Sequence, residues 1–152
     1  MDQDAFRQTY REVNERFCAF EKSVLTNRCD CARAERFCIA EREGVHCGSQ
    51  TGQRRCLRFL ALVREHAQFA LRTHEDKATL PHGKAMRLQV GGMRGVRALL
   101  EPETPLPQEI SDVDALLASA EQTFGDLERL PFSELMPHIA AYQGRPRRSR
   151  RR

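Results

Sequence analysis

Six cysteines, Cys18, Cys29, Cys31, Cys38, Cys47 and Cys56, all fall between residues 18 and 56 of a 152-residue chain. Thiols crowded into one segment hold a metal, hold a cluster or cross-link a loop. Ten, one, six, eight and eight residues separate successive cysteines. That pattern contains no Cys-x2-4-Cys zinc knuckle and no ferredoxin run, so the case for a ligand set rests on density, not on a motif. Four thiolates suffice for tetrahedral zinc or for an iron–sulfur cluster. By position the best four are Cys29, Cys31, Cys38 and Cys47, with Cys18, Cys56 and the imidazole of His46 in reserve.

The preference between metals follows from the element expected to carry them. A helix over about 31–43 places Cys31 and Cys38 two turns apart on one face, with Cys29 and Cys31 at its start, where thiolate charge is favoured. Seven residues of helix span about 10 Å along the axis, too far for one zinc ion with bonds of about 2.3 Å. This spacing points to an iron–sulfur cluster, with zinc as the alternative, or to a set that trades Cys38 for Cys18 or Cys56. Cys18, Cys38 and Cys56 also lie on or near apolar helical faces, where a cysteine serves equally as a small core residue. A third reading has no metal: Cys29 and Cys31 form a strained, labile disulfide that switches with redox state.

The periodicity predicts a helix over 4–26, with Phe6, Tyr10, Val13, Phe17, Phe20 and Val24 on one face. The 31–43 helix then ends at Gly44, and a third helix runs from a cap at Ser49 or Thr51 to about Arg72, with Cys56, Phe59, Leu60 and Val63 inward. Residues 73–83 read as a connector. Over 84–100, Gly91, Gly92 and Gly95 interrupt a stretch best read as a kinked helix, the Gly91/Gly95 pair allowing close helix approach. Pro102, Pro105 and Pro107 mark a linker over 101–108. A capping box at Ser111–Asp114 opens a helix to about Arg129, and a last one runs from Pro131 to Tyr142. The expected fold is all-α: a small helical bundle with a cysteine-bearing three-helix half (1–75), a second helical half (76–143) and a disordered basic tail (144–152).

The net charge of +4 belongs to that tail. The run Arg145–Arg152 holds six arginines, and without them nineteen basic residues face 21 acidic ones. The body therefore carries no basic surface of the kind that marks a nucleic-acid binder; only the tail offers nucleic acid or an acidic partner a contact. Three lysines among 25 basic residues fit a GC-rich, bacterial genome. The start lacks a secretory pattern and no apolar run approaches the ~20 residues of a membrane span. The expected location is the cytoplasm, where thiols stay reduced.

No Ser/His/Asp order can be argued, no Glu-x-x-His pair lies on an expected helix, and no phosphate-loop signature is present. The chain reads as a non-catalytic metal-centre protein acting in electron transfer, cluster delivery or redox sensing, with a protein partner expected. The alternatives are a zinc-stabilised helical adaptor and the metal-free thiol switch.

Overall fold

In a computed structural model, residues 3–68 and 81–143 are described. Helix α1 (Gln3–Val13) stops far short of residue 26. Asn14 ends it. Its backbone N–H closes the last turn on Tyr10, while its side chain donates to the Val45 carbonyl and the Tyr10 hydroxyl. A short polar side chain that anchors elsewhere in the fold competes with helix continuation. The chain then runs irregularly to α2 (Glu21–Leu25).

The all-α expectation is overturned at residues 31–43. In place of a helix there is an antiparallel hairpin of β1 (Ala34–Ile39) and β2 (Arg42–Cys47), within a mostly helical protein. Cys38 lies within β1, and Gly44 pairs with Phe37 and ends no helix. Ala, Glu and Arg favour helix locally, but tertiary pairing outweighs that weak preference. The outer edge of β2 is satisfied from outside the hairpin: Val45 receives the Cys18 N–H and donates to the Glu21 carboxylate, and Cys47 donates to the Arg16 carbonyl. The turn uses Ala40 and Glu41 at φ 46° and 73°, the left-handed pair that a two-residue hairpin loop requires, without the usual Asn-Gly.

Helix α3 (Gln50–His66) begins at Ser49, whose hydroxyl accepts the Gly52 N–H. Its expected extension to Arg72 and the connector after it fall largely outside the described residues, as does the basic tail. Helix α4 (His82–Met86), a π turn (Arg87–Gly91) and α5 (Gly92–Leu100) follow one another without a break. The π turn swings Gln89 inward, where its carbonyl oxygen accepts from the Ser23 hydroxyl at 2.6 Å and ties this helix to α2. Helix α6 (Val113–Phe124) is capped by the Asp112 carboxylate, one residue later than the sequence suggests. Gly125, at φ 86°, ends it before Arg129. Helix α7 (Phe132–Ala141) carries Pro137 inside it.

A single hydrophobic cluster runs through both halves, from Phe20, Val45 and Phe59 to Met93, Leu117 and Leu135. The halves are also laced by backbone. Cys29 and Ile110 form a parallel bridge, flanked by Asp30 N–H to the Ile110 carbonyl and Val113 N–H to the Asp30 carbonyl. This lacing sets the start of α6 beside the cysteine segment.

Candidate metal centre

Four of the six thiols line one cavity: Cys18, Cys31, Cys47 and Cys56. Each comes from a different element. The segment after α1 pairs with the end of β2 through Phe17 and His46, which puts Cys18 diagonal to Cys47 on one face. Cys31 sits in the turn before β1, and the Ala34–Cys47 pairing brings that turn to the same end of the hairpin. Cys47 closes β2, and two residues separate it from the start of α3. Cys56 then points inward from α3 and is buried. Ala19, Phe20 and Val113 complete the apolar wall. The cavity measures about 20 Å³ as the space open to the centre of a water-sized sphere, room for one or two such bodies.

The other two sequence candidates are elsewhere. Cys38 is exposed and pairs with Glu43, four residues from Cys47 along β2, or about 13 Å at strand rise. Cys29 is buried, but its thiol meets Ser23 and not the cavity. The imidazole of His46 is turned to Asn14, whose Oδ1 lies 2.9 Å from His46 Nδ1. Because the Asn14 amide nitrogen donates to the Val45 carbonyl, its oxygen faces His46, and His46 Nδ1 must carry the proton. All six cysteines are free thiols. Among the described residues, no three His, Cys, Asp or Glu side chains form a group that could hold a metal ion as they stand.

The polar surroundings favour sulfur carrying charge. The backbone N–H of Arg33 lies 3.4 Å from Cys31 Sγ, and that of Asp114 also faces it. The Phe20 N–H does the same for Cys18. Cys18 and Cys31 each thus meet the N–H two residues downstream. Such N–H···S contacts orient and stabilise ligating thiolates. The N-terminal ends of α3 and α6, at Gly52 and Val113, also line the cavity and contribute partial positive charge.

Burial opposes this. It pushes the Cys18 thiol up to about 12, raises Cys31 and Cys56 above the ordinary range, and takes Cys29 up to about 12. Burial is the main cause for Cys56, with Cys18, Cys31 and Cys47 near enough to add to it. Raised in this way, Cys18, Cys31 and Cys56 are poor nucleophiles unless a cation holds the thiolate.

A pH dependence follows for the metal-free protein. The folded pKa of Cys18, Cys29, Cys31 and Cys56 lies above the unfolded value of about 8.5, so the stabilising contribution of these four is whole below that pH and is lost as pH rises toward the folded value. In chelator and reductant, the urea midpoint is expected to hold from about pH 7 to 8 and fall steadily from about pH 9 to 11. Cys18→Ala should blunt the fall. An equal fall in that variant would show that other groups cause it.

Sequence reasoning placed Cys31 and Cys47 in the site, held Cys18 and Cys56 in reserve and missed Asp114 and Arg33 at its edge. Only pairing information could have found those two. Comparison with family models, curated proteins and solved structures finds no match.

Proposed function

We propose that this chain is a non-catalytic metal-centre protein whose Cys18, Cys31, Cys47 and Cys56 hold one tetrahedral zinc ion. The observation that carries the reading is the convergence of four thiols, from four separate elements, on one cavity toward which backbone N–H groups point. The geometric ground for an iron–sulfur cluster was the spacing of Cys31 and Cys38 along a helix; the hairpin removes that ground. Zinc would draw the sulfurs inward to about 3.8 Å from one another, the separation that tetrahedral bonds of about 2.3 Å impose. With four protein ligands no open position remains for substrate, so the ion's role is structural.

The chain would then serve as a zinc-clamped, mostly helical adaptor in a reducing compartment such as the cytoplasm. Its protein partner would meet it through surfaces the ion holds in register, and the Arg145–Arg152 run would supply a contact for an acidic partner or nucleic acid. Among the described residues no helix is long and apolar enough to cross a membrane.

The test is anaerobic purification followed by metal analysis and a visible spectrum on one sample. About one zinc per chain in a colourless protein is the expected result. Iron with acid-labile sulfide in a brown protein would replace zinc by a cluster on the same thiols. A metal-free chain that takes up neither zinc nor cobalt would overturn the reading.

A further inference from the structure

The hairpin has two edges, and the fold satisfies only that of β2. The turn is a two-residue loop, so Ile39 and Arg42 form a hydrogen-bonded pair, and every second residue of each strand then turns its N–H and carbonyl away from the other strand. On β2 the outward residues are Glu43, Val45 and Cys47. The bonds of Val45 and Cys47 to Cys18, Glu21 and Arg16 agree with that phase. On β1 the outward residues are Ala34, Arg36 and Cys38, across from Cys47, Val45 and Glu43. Ala34 gives its N–H to the Cys31 carbonyl. Among the described residues no group meets the main-chain N–H or carbonyl of Arg36 or Cys38, and both residues are exposed.

The side chains of β1 do not shield this edge. The Phe37 ring is folded back over Gly44, with its centroid 5.7 Å from that of Tyr10. The Arg36 guanidinium reaches the Val24 carbonyl at 2.9 Å and Asn27 Oδ1 at 3.1 Å, which ties the strand to the end of α2. An edge so held and so uncovered is ready to accept another strand.

We infer that a second copy of this chain occupies it, β1 pairing antiparallel with β1 across a twofold axis. Charge selects the register. Outward residues must face outward residues, so the axis passes through residue 35, 36, 37 or 38. At 35 or 36 it sets Glu35 against Glu35 or Arg36 against Arg36, and at 38 it sets Glu35 against Glu41. At 37 no like charges meet. Phe37 then faces Phe37, Glu35 faces Ile39, and both Arg36–Cys38 pairs exchange N–H···O bonds in each direction. Charge also selects the occupant, because the edge complements itself. Beyond Cys38 of the second copy lies its Glu43, in one row with Arg36; beyond Ile39 of the second copy lies its Arg42, in one row with Glu35. Two strand spacings, about 10 Å, are within the joint reach of arginine and glutamate side chains. The contact is small, so the dimer is weak and depends on concentration.

Sedimentation equilibrium of the full chain in reductant, over a wide range of concentration, reads the association. A reversible dimer is expected. Cys38→Pro removes an N–H that faces away from β2, so the hairpin should stay and the dimer should weaken by about tenfold or more. Cys38→Ser keeps that N–H and should associate as wild type does. Glu43→Arg puts like charges into both Arg36 rows and should weaken the dimer by about fivefold at low salt; adding Arg36→Glu exchanges the signs and should restore most of the loss. Unchanged circular dichroism shows that each variant is folded. Weakening in Cys38→Pro and Glu43→Arg with recovery in the double variant supports the inference. A chain that is monomeric at every concentration overturns it and leaves the edge to a partner of other chemistry. A dimer indifferent to both single variants overturns it as well, since the contact then lies elsewhere. Weakening by Glu43→Arg without recovery overturns the register and the inference with it. If Cys38→Pro loses its fold, the two charge variants decide alone.

Discussion

On the proposed zinc reading, Cys47→Ser is expected to release the ion and cost the protein at least about 3 kcal/mol, or roughly 10 °C in melting temperature for a chain of this size. Cys47 sits where β2 gives way to α3, and its neighbours on both sides are fixed: its own N–H is held by the Arg16 carbonyl, and the Ser49 hydroxyl caps the helix that follows. The sulfur is therefore held in place by the backbone on both sides. A serine hydroxyl in its place is a far poorer zinc ligand, and the three remaining thiols, buried Cys56 and half-buried Cys18 and Cys31, make an incomplete set. Cys38→Ser is the matched control. Cys38 is exposed on the hairpin and far from the cavity, so its change should leave zinc content whole and stability within about 0.5 kcal/mol. Metal per chain and thermal melts with and without chelator measure both. Equal loss of metal in the two variants would show that the ligands have been misassigned.

The second large effect concerns the packing of α5 on α7, and its sign changes from one glycine to the next. A Cβ built on Gly91 would stand 2.6 Å from Ile139 Cα and 2.9 Å from the His138 carbonyl oxygen. Backbone cannot swing aside as a side chain can, so the helices must part. Alanine normally gains about 1 kcal/mol over glycine inside a helix. Here overpacking reverses that gain, and Gly91→Ala is expected to lose about 1–3 kcal/mol. At Gly95 the nearest atom is Leu135 Cδ2 at 2.7 Å, a mobile end, though Leu135 Cα follows at 3.2 Å; a smaller loss is expected. At Gly83 nothing lies within 4 Å, and alanine should stabilise by up to about 1 kcal/mol. Urea denaturation of the three variants gives the ranking. Destabilisation at Gly83 equal to that at Gly91 would show that helix propensity or flexibility, not close approach, governs these positions.

The Gly91/Gly95 pair was legible in the sequence because helix approach demands small residues at a fixed spacing. The same holds for α3, α6 and α7, where inward residues repeat with helical period. The hairpin was not legible. Its alternating signal, Phe37 and Ile39 on one strand and Val45 and Cys47 on the other, is interrupted by a turn of Ala40 and Glu41 that lacks turn residues, and its Ala, Glu and Arg content favours helix. What decides the matter is the outer edge of β2, satisfied by residues 16–21, and pairing between distant segments leaves no local mark. Which thiols meet was hidden for the same reason. Cys18 and Cys56 looked like core residues because they do lie on apolar faces; the cavity they share is made only when those faces meet. Asn14 was the one local warning, a polar residue set into an apolar stripe.

The parallel bridge between Cys29 and Ile110 joins positions 81 residues apart. Closing so long a loop costs entropy that is recovered only once both partners are already shaped. The hairpin and the segments around it close much shorter loops, so the order of assembly is expected to run one way: the thiol-bearing unit condenses first, and the C-terminal helices dock afterwards along an edge it has prepared. A chain still emerging from the ribosome would then gather Cys18, Cys31, Cys47 and Cys56 before it possessed Asp114, and the last helices would arrive as a latch over a pocket already walled on three sides.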